Sequence, residues 1–203
     1  MAVQHIKTLA LLLLLQSIGI CCTFTNLPDV APGVFNVTTR IEIRSTKHAA
    51  WKALTDFTRY PEWNPFVRAS IMIAPDNSTL RNQYPVEGKG LFLRTQIPPL
   101  PMPVNKDTPD VAANTQYSYE TVTHVQRRQG RLAWECSGCT DIEAERWSAV
   151  SDIGRGKVLY ESREVFSGPL AEYLKEQLAG ALQAGFDAQG KALKVLLEEC
   201  DKD

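Results

Sequence analysis

GPLAEYLKEQLAGALQAGFDAQGKALKVLLEEC, residues 168–200, is the stretch that decides the fold. Pro169 stands where a first helical residue belongs, with Gly168 as a permissive cap and Ser167 before it. Leu170, Leu174, Leu178, Leu182 and Phe186 recur every fourth residue, and Leu193 and Leu197 resume the stripe. Tyr173, Ala181 and Leu196 widen it to one apolar face, while Lys175, Glu176, Lys191, Lys194 and Glu198 take the other. At 1.5 Å per residue this is a helix of roughly 45–50 Å, long enough to cross a small domain. Gly180, Gly185 and Gly190 interrupt it, each at a cost of up to about 1 kcal/mol relative to Ala. Either the helix bends there or something packs very close. One long helix closing a run of short strands suggests a curved sheet gripping a helix.

The strands are read from alternation. Phe35, Val37, Thr39, Ile41 and Ile43 face one way over Val34–Arg44, and Asn36, Thr38, Arg40 and Glu42 the other. Ser45 or Thr46 caps a short helix, Lys47–Asp56, and the aromatic run Phe57–Phe66 follows, punctuated by Pro61 and Pro65. Further strands are expected at Val67–Ile73, Gly90–Ile97, Gln116–Arg127, Gly130–Cys136, Glu143–Ser151 and Lys157–Phe166. Between the third and fourth, Pro98–Asn114 holds five prolines and reads as a long hairpin loop or a lid.

The 203 residues suit one domain and a leader, and 22 basic against 23 acidic residues give a net charge of −1. That balance points to no nucleic-acid or anionic-membrane partner. Residues 1–23 carry Lys7, an unbroken Leu/Ala run from Leu9 to Leu15, and Ile18–Cys22. Their length matches a signal peptide, with an uncleaved N-terminal membrane anchor as the alternative. Residues 24–33 form a linker, and 34–203 the domain. Sequons at Asn36 and Asn77 support passage through the secretory pathway, to a secreted or ER-lumenal destination. Cys136-Ser137-Gly138-Cys139 lies in a turn between strands and reads as a structural disulfide or as free thiols.

The words Trp51-Lys52-Ala53-Leu54-Thr55-Asp56-Phe57, Tyr60-Pro61-Glu62-Trp63-Asn64-Pro65-Phe66, Arg131-Leu132-Ala133-Trp134 and Phe166-Ser167-Gly168 resemble the START-like helix-grip (SRPBCC) superfamily. Within it they are most similar to the polyketide cyclase/dehydrase and lipid-transport branch, over about Phe35–Glu199. The resemblance implies an α+β fold: a curved seven-stranded antiparallel sheet around the C-terminal helix, with two short helices after the first strand. It also implies an apolar cavity between sheet and helix for a hydrophobic small molecule. Members of the family carry lipids or sterols, or cyclise and dehydrate polyketides.

No nucleophile elbow, zinc-protease motif, phosphate loop or dinucleotide fingerprint is present, so neither a cofactor nor a metal is expected. On the seventh strand Val158, Tyr160, Ser162, Glu164 and Phe166 share a face whose apolar members point it inward, which buries Glu164. Arg94, Arg146 and Arg163 are its possible partners, and its role is either acid–base or a structural ion pair. On the fourth strand Glu120, Val122 and His124 share one face, and Tyr117, Tyr119 and Thr121 the other. An inward first face makes a Glu120/His124 proton-transfer pair; an inward second face lines the cavity with tyrosines. We therefore take Glu164, Tyr160 and Arg94 as candidate catalytic residues. Candidate ligand contacts are Trp63, Asn64, Phe66, Tyr119, Trp134, Trp147, Tyr173 and Phe186. Trp63 and Asn64 otherwise only pack and turn the chain, and Trp134 and Trp147 are cavity wall or plain core. The expected function is that of a secretory cyclase-like enzyme acting on a polyketide or terpenoid intermediate. The alternative is a secreted carrier, with membrane contact only through an uncleaved N-terminal segment.

Overall fold

The alternation of residues 34–44 becomes strand β1 (Phe35–Arg44), with Phe35, Val37, Thr39 and Ile43 buried and the intervening residues largely exposed. The computed structural model describes residues 24–199, so the leader and Cys200 lie outside the described residues. After β1 the Thr46 hydroxyl accepts the Ala49 N–H at 3.1 Å and caps helix α1 (Lys47–Thr55). A 3₁₀ turn (Phe57–Arg59) and the short helix α2 (Tyr60–Trp63) follow. Then come β2 (Val67–Ile73), β3 (Gly90–Gln96), β4 (Thr115–Gln126), β5 (Arg131–Cys136), β6 (Glu143–Gly154), β7 (Lys157–Ser167) and helix α3 (Ala171–Glu199). The seven strands form one antiparallel sheet in the order β1-β7-β6-β5-β4-β3-β2. Strand β6 runs three residues beyond its expected end because the hairpin turn is tight. Gly154, Arg155 and Gly156 all have positive φ, which lets β7 start at once.

Helix α3 lies in the concave side of this sheet. Leu182, Phe186, Leu193 and Leu197 are buried along it, against Val37 and Ile43 of β1 and Val158 and Tyr160 of β7. Two of its glycines mark close approach. A Cβ on Gly185 would stand 2.6 Å from the Phe66 ring, and one on Gly190 would stand 3.1 Å from Thr39 Oγ1. Gly180 faces open space. The helix therefore gives up propensity at residues 185 and 190 to let an aromatic ring and a strand come nearer than alanine allows.

The proline-rich connection between β3 and β4 is tied down. The Arg68 guanidinium, 2% exposed, donates to the carbonyls of Pro61, Asn64, Asn105 and Thr108 and pairs with Asp110 at 3.2 Å. One side chain thus fastens the loop to the turn after α2. Residues 24–33 cross the outer face of the sheet. The Asn26 N–H binds Glu161 Oε2 at 2.9 Å, and Arg163 donates to the Pro28 carbonyl. Among the described residues no helix is long and apolar enough to cross a membrane.

Candidate functional site

A cavity of about 220 Å³ opens between the concave face of the sheet and the first turns of α3. Its walls are Phe66 after α2, Leu93, Thr95 and Ile97 of β3 and just beyond, Ser118 and Glu120 of β4, and Trp134 and Cys136 of β5. Gln116 and Tyr117 of β4, with Ile142, Ala144, Arg146, Glu164, Phe166, Leu174, Leu178 and Leu182, complete them. Larger clefts exist on the outside of the molecule, of about 370, 480 and 520 Å³. The interior one lies between sheet and helix and contains strongly perturbed acids, the combination that marks functional sites.

Register explains how the polar groups meet. Val122, Trp134, Arg146, Glu164 and Val37 are successive cross-strand partners over β4, β5, β6, β7 and β1, so they form one inward row. Arg146 is 2% exposed, and its guanidinium lies 4.1 Å from the Phe186 ring centroid and about 5.5 Å from those of Trp134 and Phe66. Its Nε donates to Ser162 Oγ at 3.2 Å and its Nη2 to Gln189 Oε1 at 3.1 Å. Gln189 in turn donates from Nε2 to the Tyr160 hydroxyl at 3.2 Å. A cation held by rings and two neutral acceptors leaves charge to spare for its cross-strand neighbour Glu164.

That charge does not offset burial. The Glu164 carboxyl is pushed up by loss of solvent, with Arg146 pulling only part of the way back. Glu120 is pushed up to about 8, first by burial and then by the negative charge of Glu164, against opposing help from the Ser118 hydroxyl and Arg146. At neutral pH Glu120 is a carboxylic acid in an apolar chamber, able to give a proton. The Tyr60 phenol is also driven up by burial, and it donates to the Leu54 carbonyl at 2.7 Å.

Of the residues singled out in the sequence, Glu164, Phe66 and Trp134 line the cavity. Tyr160 and Phe186 are fully buried one layer behind it, around Gln189 and Arg146. Trp63 packs edge-on to Tyr60 at 5.2 Å. The buried Asn64 Oδ1 accepts the N–H groups of Phe66 and Val67 at 3.0 Å, so both residues build the turn rather than the chamber. Four candidates are corrected by their placement. Arg94 is on the outer face, paired with Asp110 at 2.9 Å, because β3 turns Leu91 and Leu93 inward. Tyr119 is 48% exposed and tilts onto Phe92 at 5.3 Å, because Ser118 and Glu120 take the inward positions of β4. Trp147 neighbours Arg146 on β6 and so points outward. Tyr173 is 64% exposed, just off the helix face carried by Leu174 and Leu178.

The Glu120/His124 pair does not form, although Glu120 is inward. A bulge between Val122 and His124 inserts Thr123 as an extra residue and reverses the alternation. His124 therefore stacks outside on Trp147 at 4.6 Å, 4.0 Å from Glu145. Cys136 and Cys139 are joined as a disulfide with a Cα separation of 5.8 Å, and Asn36 and Asn77 are exposed. Among the described residues no group of three or more His, Cys, Asp or Glu is arranged to hold a metal ion. Sequence reasoning had named Arg146 only as a possible partner and missed Gln189. The available signal was a lone Gln on the apolar stripe of α3, one helical turn after Phe186.

A curved antiparallel sheet closed on a C-terminal helix over an apolar chamber is the architecture of the START-like, helix-grip proteins that bind hydrophobic small molecules. The particular family follows from the sequence. Residues 34–198 match the family described as polyketide cyclase/dehydrase and lipid transport, and the chain belongs to it. The fold is similar to that of a START superfamily protein from Mycobacterium smegmatis, at 15% identity, 81% of this chain, 98% of that one and a TM-score of 0.55. It is also similar to a major latex-like protein from Panax ginseng, at 7% identity, 80% and 97% coverage and a TM-score of 0.57. A third likeness is to norcoclaurine synthase of Thalictrum flavum, a point mutant in complex with a transition-state analogue. There the identity is 13%, the coverage 86% and 100%, and the TM-score 0.54. No curated protein sequence matches the chain.

Proposed function

We propose that this protein is a cofactor-independent cyclase or dehydratase acting on a compact polyketide or terpenoid intermediate in the secretory pathway. The observation that carries the reading is the pair of carboxyls, Glu120 and Glu164, set into an apolar chamber beside a single guanidinium. A carboxylic acid there protonates a carbonyl oxygen in ring closure, or a departing hydroxyl in dehydration. The carboxylate so formed takes the proton lost from substrate carbon, and the proton count closes on the enzyme. Arg146 stabilises the transient carboxylate, and Gln189 and Tyr160 fix Arg146. The Leu174, Leu178 and Leu182 wall folds the substrate and excludes water. A volume of about 220 Å³ falls below the roughly 300–1,000 Å³ of drug-sized sites, which favours a one- or two-ring intermediate over an intact sterol. The exposed sequons and the disulfide support the secretory assignment.

A second reading, a carrier without turnover, draws on the fact that Arg146 is already engaged by Ser162, Gln189 and three rings. Native mass spectrometry of protein purified from its own secretory host, followed by denaturing extraction, separates the two. A precursor–product pair is expected, and Glu164→Gln should stop its interconversion while leaving the fold intact. A stoichiometric, chemically unchanged lipid would refute catalysis.

A further inference from the structure

The net charge of −1 hides an uneven distribution. The end of the sheet remote from the cavity gathers the β4–β5 turn (Arg127, Arg128, Gln129), helix α1 and the β6–β7 turn at Arg155. These are held together there, since Lys47 Nζ donates to the carbonyls of Arg128 and Gln129 at 3.0 and 3.2 Å. A cleft of about 480 Å³ opens at this end, with His48, Lys52 and Arg127 on its walls alongside Trp51, Tyr84, Pro85 and Val125. His48, Lys52, Arg127, Arg128 and Tyr84 are exposed. Neither His48 nor Lys52, Arg127 or Arg128 makes an ion pair with any described residue. Carboxylates at this end are engaged with the backbone: Glu87 accepts the Val125 N–H, Asp152 the Gly154 N–H and Glu198 the Arg44 N–H. Unpaired cations interleaved with a tryptophan and a tyrosine are the side chains that meet the headgroup layer of a bilayer.

The chain itself leads to the same place. Asn26 Nδ2 donates to the Gln129 carbonyl at 2.8 Å, and Arg131 Nε donates to Asn26 Oδ1 at 3.1 Å. The apolar stretch of the sequence ends at Cys22, four residues earlier, and four extended residues span at most about 14 Å. The first residue fixed on the fold after that stretch is fastened to the basic turn. Exposed Phe24, between the two, adds a further aromatic side chain.

We propose that this basic, aromatic end of the molecule docks on an anionic phospholipid surface, with a lipid headgroup phosphate in the cleft between Lys52, Arg127 and Trp51. Docking there leaves the cavity at the far end of the sheet free, so the contact is independent of the chemistry assigned to Glu120 and Glu164. The cleft lies within the folded domain, and recognition holds with the leader retained or removed.

The test is co-sedimentation of the full protein, as purified from its secretory host, with vesicles of phosphatidylcholine alone or of phosphatidylcholine with phosphatidylserine. Binding should require phosphatidylserine and weaken with added salt. The Lys52→Gln and Arg127→Gln variants should each lose about fivefold in partition coefficient, and the double variant roughly 25-fold. Lys175→Gln, at the start of α3, should bind as wild type. Equal binding to both vesicles, or binding to neither, would overturn the proposal. So would a phosphatidylserine preference that survives both single substitutions or falls as much with Lys175→Gln.

Discussion

Replacing Glu120 with glutamine removes a titrating group and almost nothing else. The side chain keeps its shape, and the amide can still meet the Ser118 hydroxyl. In the wild type, burial raises Glu120 from 4.5 to about 8. Between those pH values the folded chain keeps a proton that the unfolded chain has lost. The contribution to stability is therefore fully present below about 4.5 and is lost as pH rises through 8. At about 1.4 kcal/mol per pH unit, the loss over the whole window has a ceiling of about 5 kcal/mol. Glu120→Gln does not carry this loss. The variant should match the wild type near pH 4.5 and exceed it by several kcal/mol near pH 8, a large fraction of the ~5–15 kcal/mol that holds a typical domain together. Urea unfolding at the two pH values, followed by circular dichroism, reads the difference as a shift in midpoint at constant slope. A variant offset from the wild type by the same amount at both ends, or less stable at the alkaline end, would refute the argument that the half-buried Glu120 is held as a neutral acid.

Other expectations follow from contacts already described. Gly185→Ala places a methyl group 2.6 Å from the Phe66 ring, so it should cost about 1–3 kcal/mol in urea unfolding and shrink the cavity that Phe66 lines. Arg146→Met should destabilise by roughly 3 kcal/mol at neutral pH. In a double-mutant cycle with Glu164→Gln the two should couple by about 1–3 kcal/mol where Glu164 is ionised, and the coupling should fade as pH falls and Glu164 becomes neutral in every background. Intact-mass measurement before and after glycosidase treatment should show glycans at Asn36 and Asn77, and Asn77→Gln should remove one of them; an unglycosylated chain would remove the support for the secretory route.

Much of the architecture was legible because burial repeats with the period of the backbone. The alternation of Phe35 to Ile43 and the fourfold spacing of Leu174 to Phe186 are read one residue at a time, and each has a single physical meaning; Leu170, one residue before α3, is exposed instead. The inward face of β7, and with it the burial of Glu164, came from the same logic. The failures fall where a local pattern admits two faces. On β6 either parity was open and Trp147 proved to point outward, while Arg146 took the inward row; on β3 Arg94 was named for its charge alone and also points outward. On β4 both faces were open, and neither holds along the whole strand: the Thr123 bulge leaves Glu120 inward and His124 outward, and no residue type announces it.

The sequence by itself determined the elements, their order and the identity of the closing helix, since propensity, periodicity and capping act over a few neighbouring residues. Only the tertiary structure decided which charges meet. Arg146, Glu164 and Gln189 are brought within reach by sheet register and by the pitch of α3. Lys52, Arg127 and the point where Asn26 is fastened converge because strand turns and a short helix share one end of the sheet. Electrostatic interactions depend on distance in space, and distances in space between residues a hundred positions apart are set by the fold as a whole.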